Sequence, residues 1–370
     1  QKQVMMKMKN NIFKTILLAA AAVSSASCSE WTEPESVDFR YTTLEEKNPE
    51  LYKAYFQSVR DYRDSDHKVV IAKFDNKATT PAGRAEHITC LPDSVDYIIL
   101  YNPEVSAAIA DEMREVRELK GQKVLYQIEY KTIENEYKDY AEAWNDAHPP
   151  VEGEEAAPVD PADTLISLNN YVSEAVKART AYLSEYGYDG VNIVFSTKNP
   201  ASCTEEALAE LKAAQAAFLA PIAEAIAANP DALVFFEGTP QFVLEDAEIV
   251  ENADYLIIPA TTAVNESELS YELGLVNRYG NIPADRFIVS VTVRSLEDPT
   301  LTDGTFSGMD RKGREKTAII GAAEWTAKPV QGVVKAGIAV ENAQNDYYNL
   351  SLVYYSIREA ISIMNPSPIK

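Results

Sequence analysis

Eight runs of mostly apolar residues, each of strand length, recur along the chain. They are 68–74 (KVVIAKF), 95–101 (VDYIILY), 123–129 (KVLYQIE), 189–196 (DGVNIVFS), 231–237 (DALVFFE), 254–260 (DYLIIPA), 286–294 (RFIVSVTVR) and 331–340 (QGVVKAGIAV). Their near-continuous hydrophobicity is that of parallel strands covered on both faces. Between them lie segments whose apolar positions return at helical spacing: 104–120, 165–186, the Ala-rich 204–228 with Pro221 inside it, and about 346–364. Gly121 and Gly187 stand where helices should stop before the next strand. Eight β units alternating with helices predict one closed (β/α)8 barrel, an α/β TIM barrel. A doubly wound open sheet is the competing arrangement. No G-x-G-x-x-G follows the first run, and the count of eight favours closure.

Ligands of such barrels bind at the C-terminal strand ends. Two connections there read as long loops: 130–163, with Trp144, Pro149-Pro150 and the acidic run EGEEAAPVDPAD, and 295–315, with Phe306, Met309, Arg311 and Arg314. Long loops in compact domains are functional or disordered. Trp144 could stack on a ligand or pack a helix, and Trp325 sits in a helical pattern and reads as core. Residues 29–66 are acidic and Tyr-rich, and read as a stalk plus a first helix over the barrel floor.

The segment before the barrel is an address. Lys7, Lys9 and Lys14 precede the apolar stretch Ile16–Val23, which is too short to span a membrane stably, and small residues then lead to Cys28. Ser25-Ala26-Ser27-Cys28 resembles a bacterial lipobox, without its usual Leu, and the acidic Ser29–Glu33 resembles the export signal of surface lipoproteins. The expected division is a signal peptide over 1–27, a stalk over 28–58 and the barrel over 59–370, with Cys28 lipidated and the protein displayed at the outer-membrane surface. A cleaved soluble signal with an incidental Cys is the plainer alternative. Lipidation would leave Cys90 and Cys203, which an oxidising compartment could join.

Charge narrows the partners. The chain has 34 Lys+Arg against 57 Asp+Glu, a net −23. Loss of the leader removes four lysines and no acid, taking the charge from −23 to −27. Nucleic acid, which needs clustered cations, is excluded, and an anionic membrane surface is disfavoured. Three Cys and three scattered His build no Cys/His zinc framework, so neither metal nor cofactor is expected.

The fourth run carries the chemistry. Tyr186-Gly187-Tyr188-Asp189-Gly190-Val191-Asn192-Ile193-Val194-Phe195-Ser196 resembles the fourth strand of glycoside hydrolase family 18, which reads DGxDxDxE. KVVIAKFDNKAT, ITCLPDSVDYIIL and KAGIAVENAQNDYYN extend the likeness over most of 60–365, toward a lipoprotein branch related to the endo-β-N-acetylglucosaminidases. The resemblance implies a substrate-assisted mechanism, in which the last Glu protonates the leaving oxygen and the Asp before it orients the substrate's acetamido group. Spacing at i, i+2, i+4 puts these side chains on one face of the strand. Asp189 and Gly190 match the motif, whereas Asn192, Val194 and Ser196 stand where the two further Asp and the acid Glu belong. Serine cannot protonate a glycosidic oxygen near neutral pH, and valine cannot stabilise a developing cation. Loss of a general acid alone removes ~10²–10⁴ in rate. Asp189, at the strand start, reads as structural.

The leading expectation is therefore a non-catalytic surface protein that binds glycans for an outer-membrane uptake system, with transporter components and an N-glycan as partners. Candidate ligand-binding residues at strand ends are Asn76, Tyr101, Asn102, Glu129, Tyr130, Asn192, Ser196, Glu237, Arg294, Glu341 and Asn342. Tyr101 and Tyr130 are the aromatic candidates. A glycosidase with relocated carboxylates, Glu129 and Glu237, is the enzymatic alternative, against which Glu129 could pair with Arg294 and Glu237 could cap a turn. An assembly protein that contacts a transporter and binds no sugar is the third reading.

Overall fold

A computed structural model describes residues 43–77, 79–149, 164–298, 300–349 and 352–366. The leader, Cys28, the start of the stalk and the EGEEAAPVDPAD run lie outside the described residues. Compactness divides the chain between Ala54 and Tyr55. In the first unit, Leu44–Lys47 forms one helical turn, with Thr43 and Glu46 capping each other reciprocally.

The second unit holds the barrel. Its eight strands are β1 (Val69–Phe74), β2 (Tyr97–Leu100), β3 (Lys123–Glu129), β4 (Gly190–Phe195), β5 (Leu233–Gly238), β6 (Tyr255–Pro259), β7 (Phe287–Thr292) and, after the hairpin β8 (Thr305–Met309) and β9 (Glu315–Thr317), β10 (Lys335–Glu341). They close in the order β1-β10-β7-β6-β5-β4-β3-β2, all parallel. Closure removes the doubly wound alternative. Alternation along each strand sends Ile71, Ile99, Leu125, Phe235, Ile257, Ile288 and Ala339 into the lumen, while Val70, Ile98, Val124, Ile193 and Phe236 face the helices. Tyr97, Phe235 and Tyr255 meet edge to face low in the lumen, with centroids 5.0–5.6 Å apart.

Aspartates organise the floor. Asp96 accepts from the backbone N–H of Val70, Asp189 from that of Val124 and Asp254 from that of Val234, at 2.8–2.9 Å. In each case the Asp just before one strand satisfies the N–H of the second residue of the strand before it, and its own N–H returns to that residue's carbonyl. A parallel strand start would otherwise leave that donor orphaned. Asp189 also pairs with Arg117 at 2.6 Å, so the first residue of the family-like motif is a floor residue. From the helix Pro49–Arg63, Arg63 reaches Asp96 and the carbonyls of Asp93, Val95 and Lys120, tying this end of the helix under β2 and β3.

Helices stop where glycine allows. Gly121 and Gly187 adopt φ of 68° and 64°, the left-handed region that ends a helix. Elsewhere the structure corrects the expected connections. The stretch after β3 begins as a helix, Tyr130–Ala147, without any intervening loop. Tyr130, Ile133 and Tyr137 give it an inward stripe, and Trp144 stacks on His148 one turn later with centroids 4.3 Å apart. The stretch after β7 is ordered by the β8–β9 hairpin, anchored by the buried ring of Phe306. That ring occupies the space a Cβ on Gly321 would need, 2.3 Å from it. The final helix is shorter than expected, Tyr355–Met364, because Tyr354 turns left-handed (φ 55°) and Asp346 caps the helix through the N–H groups of Ser356 and Ile357. Trp325 is buried, as core. Cys90 and Cys203 are free thiols in turns of different β/α units, so the suggested disulfide is absent.

Replacing Asp189 by Ala should cost about 1–3 kcal/mol, the penalty for an orphaned, largely buried donor. Urea denaturation checks it: an unchanged midpoint would show that the floor aspartates do not hold the strands.

Candidate active site and its comparison with known proteins

Above the apolar lumen, the next inward position of several strands is polar. Lys73 on β1, Gln127 on β3, Asn192 on β4, Glu237 on β5, Ser290 on β7 and Glu341 on β10 face the mouth of the barrel, joined by Tyr101 just beyond β2. Lys73 lies at their centre. Its Nζ donates to Glu237 at 2.6 and 2.8 Å and to Glu341 at 2.7 Å. Tyr101 Oη and Ser290 Oγ donate to Glu341, and Asn192 Nδ2 donates to Glu237 at 2.8 Å. Lys73 is 2% exposed and Glu237 4%, so these charges have left water and depend on one another.

Two carboxylates share one ammonium, which leaves a buried excess of negative charge. Burial pushes the Glu237 carboxyl up to about 7, and Glu341 adds to this while Lys73 opposes it. For Glu341 and Lys73 burial works against the charge and their partners outweigh it: Glu341 is held below the usual carboxylate range, and Lys73 above the usual amine value. Burial, followed by Glu341, raises the Tyr101 phenol, so it stays a donor. At the other end of the chain of bonds, the Oδ1 of Asn192 and the Oε1 of Gln127, on paired strand positions, have no hydrogen-bond partner.

The expected ligand residues separate into groups. Tyr101, Asn192, Glu237 and Glu341 belong to the buried network. Asn342 (φ 53°) follows it and donates its N–H to Tyr101 Oη. Asn76 is buried, exchanging bonds of 2.8 and 2.9 Å with the backbone of Asn102, so it locks two loops together instead of facing a ligand. Tyr130 is also corrected: its ring packs edge-on against Phe195 and Phe218, on the helix side of the sheet. Arg294 pairs with Glu315 at 3.4 Å, away from Glu129. Val194 is half-buried at the mouth, while Ser196 is exposed beyond it.

Asn102 and Glu129 do come together. With Tyr101, Gln127, Thr132, Glu136, Arg179 and Tyr182 they line a cavity of about 370 Å³ beside the mouth, over β2 and β3. Thr132 Oγ1 donates to Glu129 at 2.6 Å, and Arg179 grips Glu136 at 2.6 and 2.7 Å. Sequence reasoning missed Lys73, Gln127 and Ser290, although each is a polar residue at an inward position of an otherwise apolar run. It missed Arg179 and Tyr182 because they come from a distant helix and the turn after it. Among the described residues no cluster of His, Cys, Asp and Glu could hold a metal ion.

The model of glycoside hydrolase family 18, BT1044-like, matches residues 32–363. The chain belongs to this family. A solved structure of BT1044, in selenomethionine form with a Glu-to-Gln substitution, is 16% identical over 88% of this chain and 96% of that one, with a TM-score of 0.58. A family 18 chitinase from Pseudoalteromonas aurantia is 13% identical over 79% of this chain and 99% of that one, with a TM-score of 0.47. Human YKL-39, described as a pseudo-chitinase with retained chitooligosaccharide binding, is 8% identical over 81% and 100%, with a TM-score of 0.45. At these identities the structural likeness speaks for the fold alone. No curated protein matches the chain. Within this family 18 barrel, Asn192 and Val194 on β4 and Ser196 just beyond it occupy the positions at which the sequence resemblance places carboxylates.

Two outcomes test the network. Lys73→Met should cost about 3–5 kcal/mol, because it strands two buried carboxylates. Glu237 binds its proton more tightly in the folded chain than in the unfolded one. Its contribution to stability is therefore full below about 4.5 and lost as pH rises through about 7. Glu237→Gln should remove that slope, measured as the difference in unfolding free energy between pH 5 and pH 8; an unaltered slope would disprove the assignment.

Proposed function

We propose that this protein is a non-catalytic glycan-binding lipoprotein, anchored through Cys28 at the outer-membrane surface, that captures N-glycans containing N-acetylglucosamine and mannose for an uptake system. The observation that carries the reading is the mouth itself. Its two buried carboxylates, Glu237 and Glu341, are committed to Lys73, and β4 offers Asn192, Val194 and Ser196 beside them. A general acid must bring its proton within hydrogen-bond reach of the leaving oxygen. Glu237, the partner that a relocated acid–base pair would need, is 4% exposed and held by two donors. That weighs against the enzymatic alternative.

Binding needs less. The cavity over β2 and β3 presents carboxylates, a guanidinium, hydroxyls and a backbone turn, the mixed donors and acceptors that hold sugar hydroxyls. Gln127, with an unsatisfied amide oxygen, borders it. A strongly acidic chain suits this task, since neutral sugars need no electrostatic steering. The acidic residues after Cys28 support surface display, and the transporter of that uptake system is the partner this reading calls for.

Calorimetry with high-mannose and complex N-glycans, joined to product analysis after long incubation, tests the reading. Binding without products is expected, with Glu129→Gln weakening it by about tenfold, as for a central polar contact. Turnover abolished by Glu129→Gln would instead establish a glycosidase, and neither binding nor products would point to an assembly role. A Cys28→Ala variant should leave the membrane fraction, and retention there would refute the anchor.

A further inference from the structure

A second cavity, of about 250 Å³, opens on the other side of β4. Ser196, Gly238, Thr239, Gln241, Phe242, Pro259, Glu272 and Tyr279 are among its walls. The backbone builds it by close approach. Gly238 has φ 127°, and a Cβ there would lie 2.1 Å from the carbonyl oxygen of Phe195 and 2.7 Å from Ser196 Oγ. Only glycine lets the β5 end pass so near the β4 end.

Three features of this cavity are unusual for a packing defect. Gln241 is 7% exposed, yet its Oε1 has no hydrogen-bond partner. Such an acceptor costs free energy unless something donates to it. Phe242 and Tyr279 meet edge to face at 5.2 Å and give the cavity an aromatic wall, and Asn199 Nδ2 and Arg278 both donate to Tyr279 Oη, fixing that ring. Glu272 adds a half-buried carboxylate whose proton affinity is raised by burial. An aromatic face beside acceptors and hydroxyls is what a single pyranose ring requires: C–H groups against the ring, O–H groups toward Gln241, Glu272 and Ser196.

We infer that this cavity is a second sugar subsite, holding one neutral pyranose residue of a bound oligosaccharide. The inference rests on the glycan-binding reading and adds where a further ring goes. The walls carry one acid, Glu272, and one cation, Arg278, which already donates to the Tyr279 hydroxyl and lies over its ring; Glu272 therefore sets the class: a hexose or N-acetylhexosamine, and not a sialic or uronic acid.

The test uses the whole protein and two probe sets, a high-mannose oligosaccharide and a complex-type oligosaccharide with and without sialic acid. Tyr279→Ala should weaken binding of the neutral probes about tenfold, as truncation of an aromatic contact does. Glu272→Gln, an isosteric change on a helix surface, should raise the affinity for the sialylated probe relative to the neutral one, and thermal melting verifies that both variants fold. A crystal soaked with the better probe should place a ring against Tyr279. Unchanged affinity in Tyr279→Ala with wild-type binding intact would overturn the subsite and leave the glycan-binding reading standing. Loss in Tyr279→Ala but not in Glu129→Gln would keep the subsite and move the main site to it. No binding by the wild type would overturn both.

Discussion

One ammonium, Lys73, stands between two carboxylates at the top of the barrel lumen, and the mouth depends on it. Placed among Glu237, Glu341, Tyr101, Ser290 and Asn192, it lets six polar side chains, five from strands and Tyr101 from just beyond β2, leave water together. Remove it, and the desolvation of two anions stands unopposed. The same commitment ties both carboxylates to neighbouring donors. The Glu237 carboxylate accepts from both Lys73 and Asn192.

The barrel divides its labour between its two ends, and β4 belongs to both. At the floor, Asp189 repeats what Asp96 and Asp254 do, accepting an N–H near the start of the preceding strand. At the mouth, the same strand delivers Asn192 to the buried network and carries Val194 and Ser196 past it. The family-like motif thus contributes its first residue to the floor and Asn192, Val194 and Ser196 to the mouth and beyond it. An amide at position 192 can both donate to Glu237 and leave a carbonyl free, which a third carboxylate in this dry, already negative site could not do.

With the centre occupied, two polar cavities lie to either side of β4. One cavity lies over β2 and β3, roofed by Arg179 and Tyr182; the other lies over β5 and β6, walled by Phe242 and Tyr279. Both join the last residues of strands to residues beyond them, where loops and helix starts vary without disturbing the closed sheet.

Much of this was legible in the chain itself. Strand count, the parallel sheet and closure follow from eight apolar runs alternating with amphipathic segments, because burial on both faces leaves a continuous signature in sequence. Helix ends at Gly121 and Gly187 were legible for the same local reason, as a positive φ favours glycine. The departures at Val194 and Ser196 were legible once the fourth run was set beside the family motif it resembles. What tertiary structure alone decided is long-range. Lys73 is 164 residues from Glu237 and 268 from Glu341, and no periodicity announces that three strand positions so far apart will share one dry site. Tyr130 was read as facing a ligand because it follows a strand, yet the helix starts there at once and turns the ring onto Phe195 and Phe218. Asn76, Arg179 and Tyr279 likewise took their roles from neighbours that only chain closure supplies. Local pattern sets which residues face inward; the closed barrel sets which of them meet.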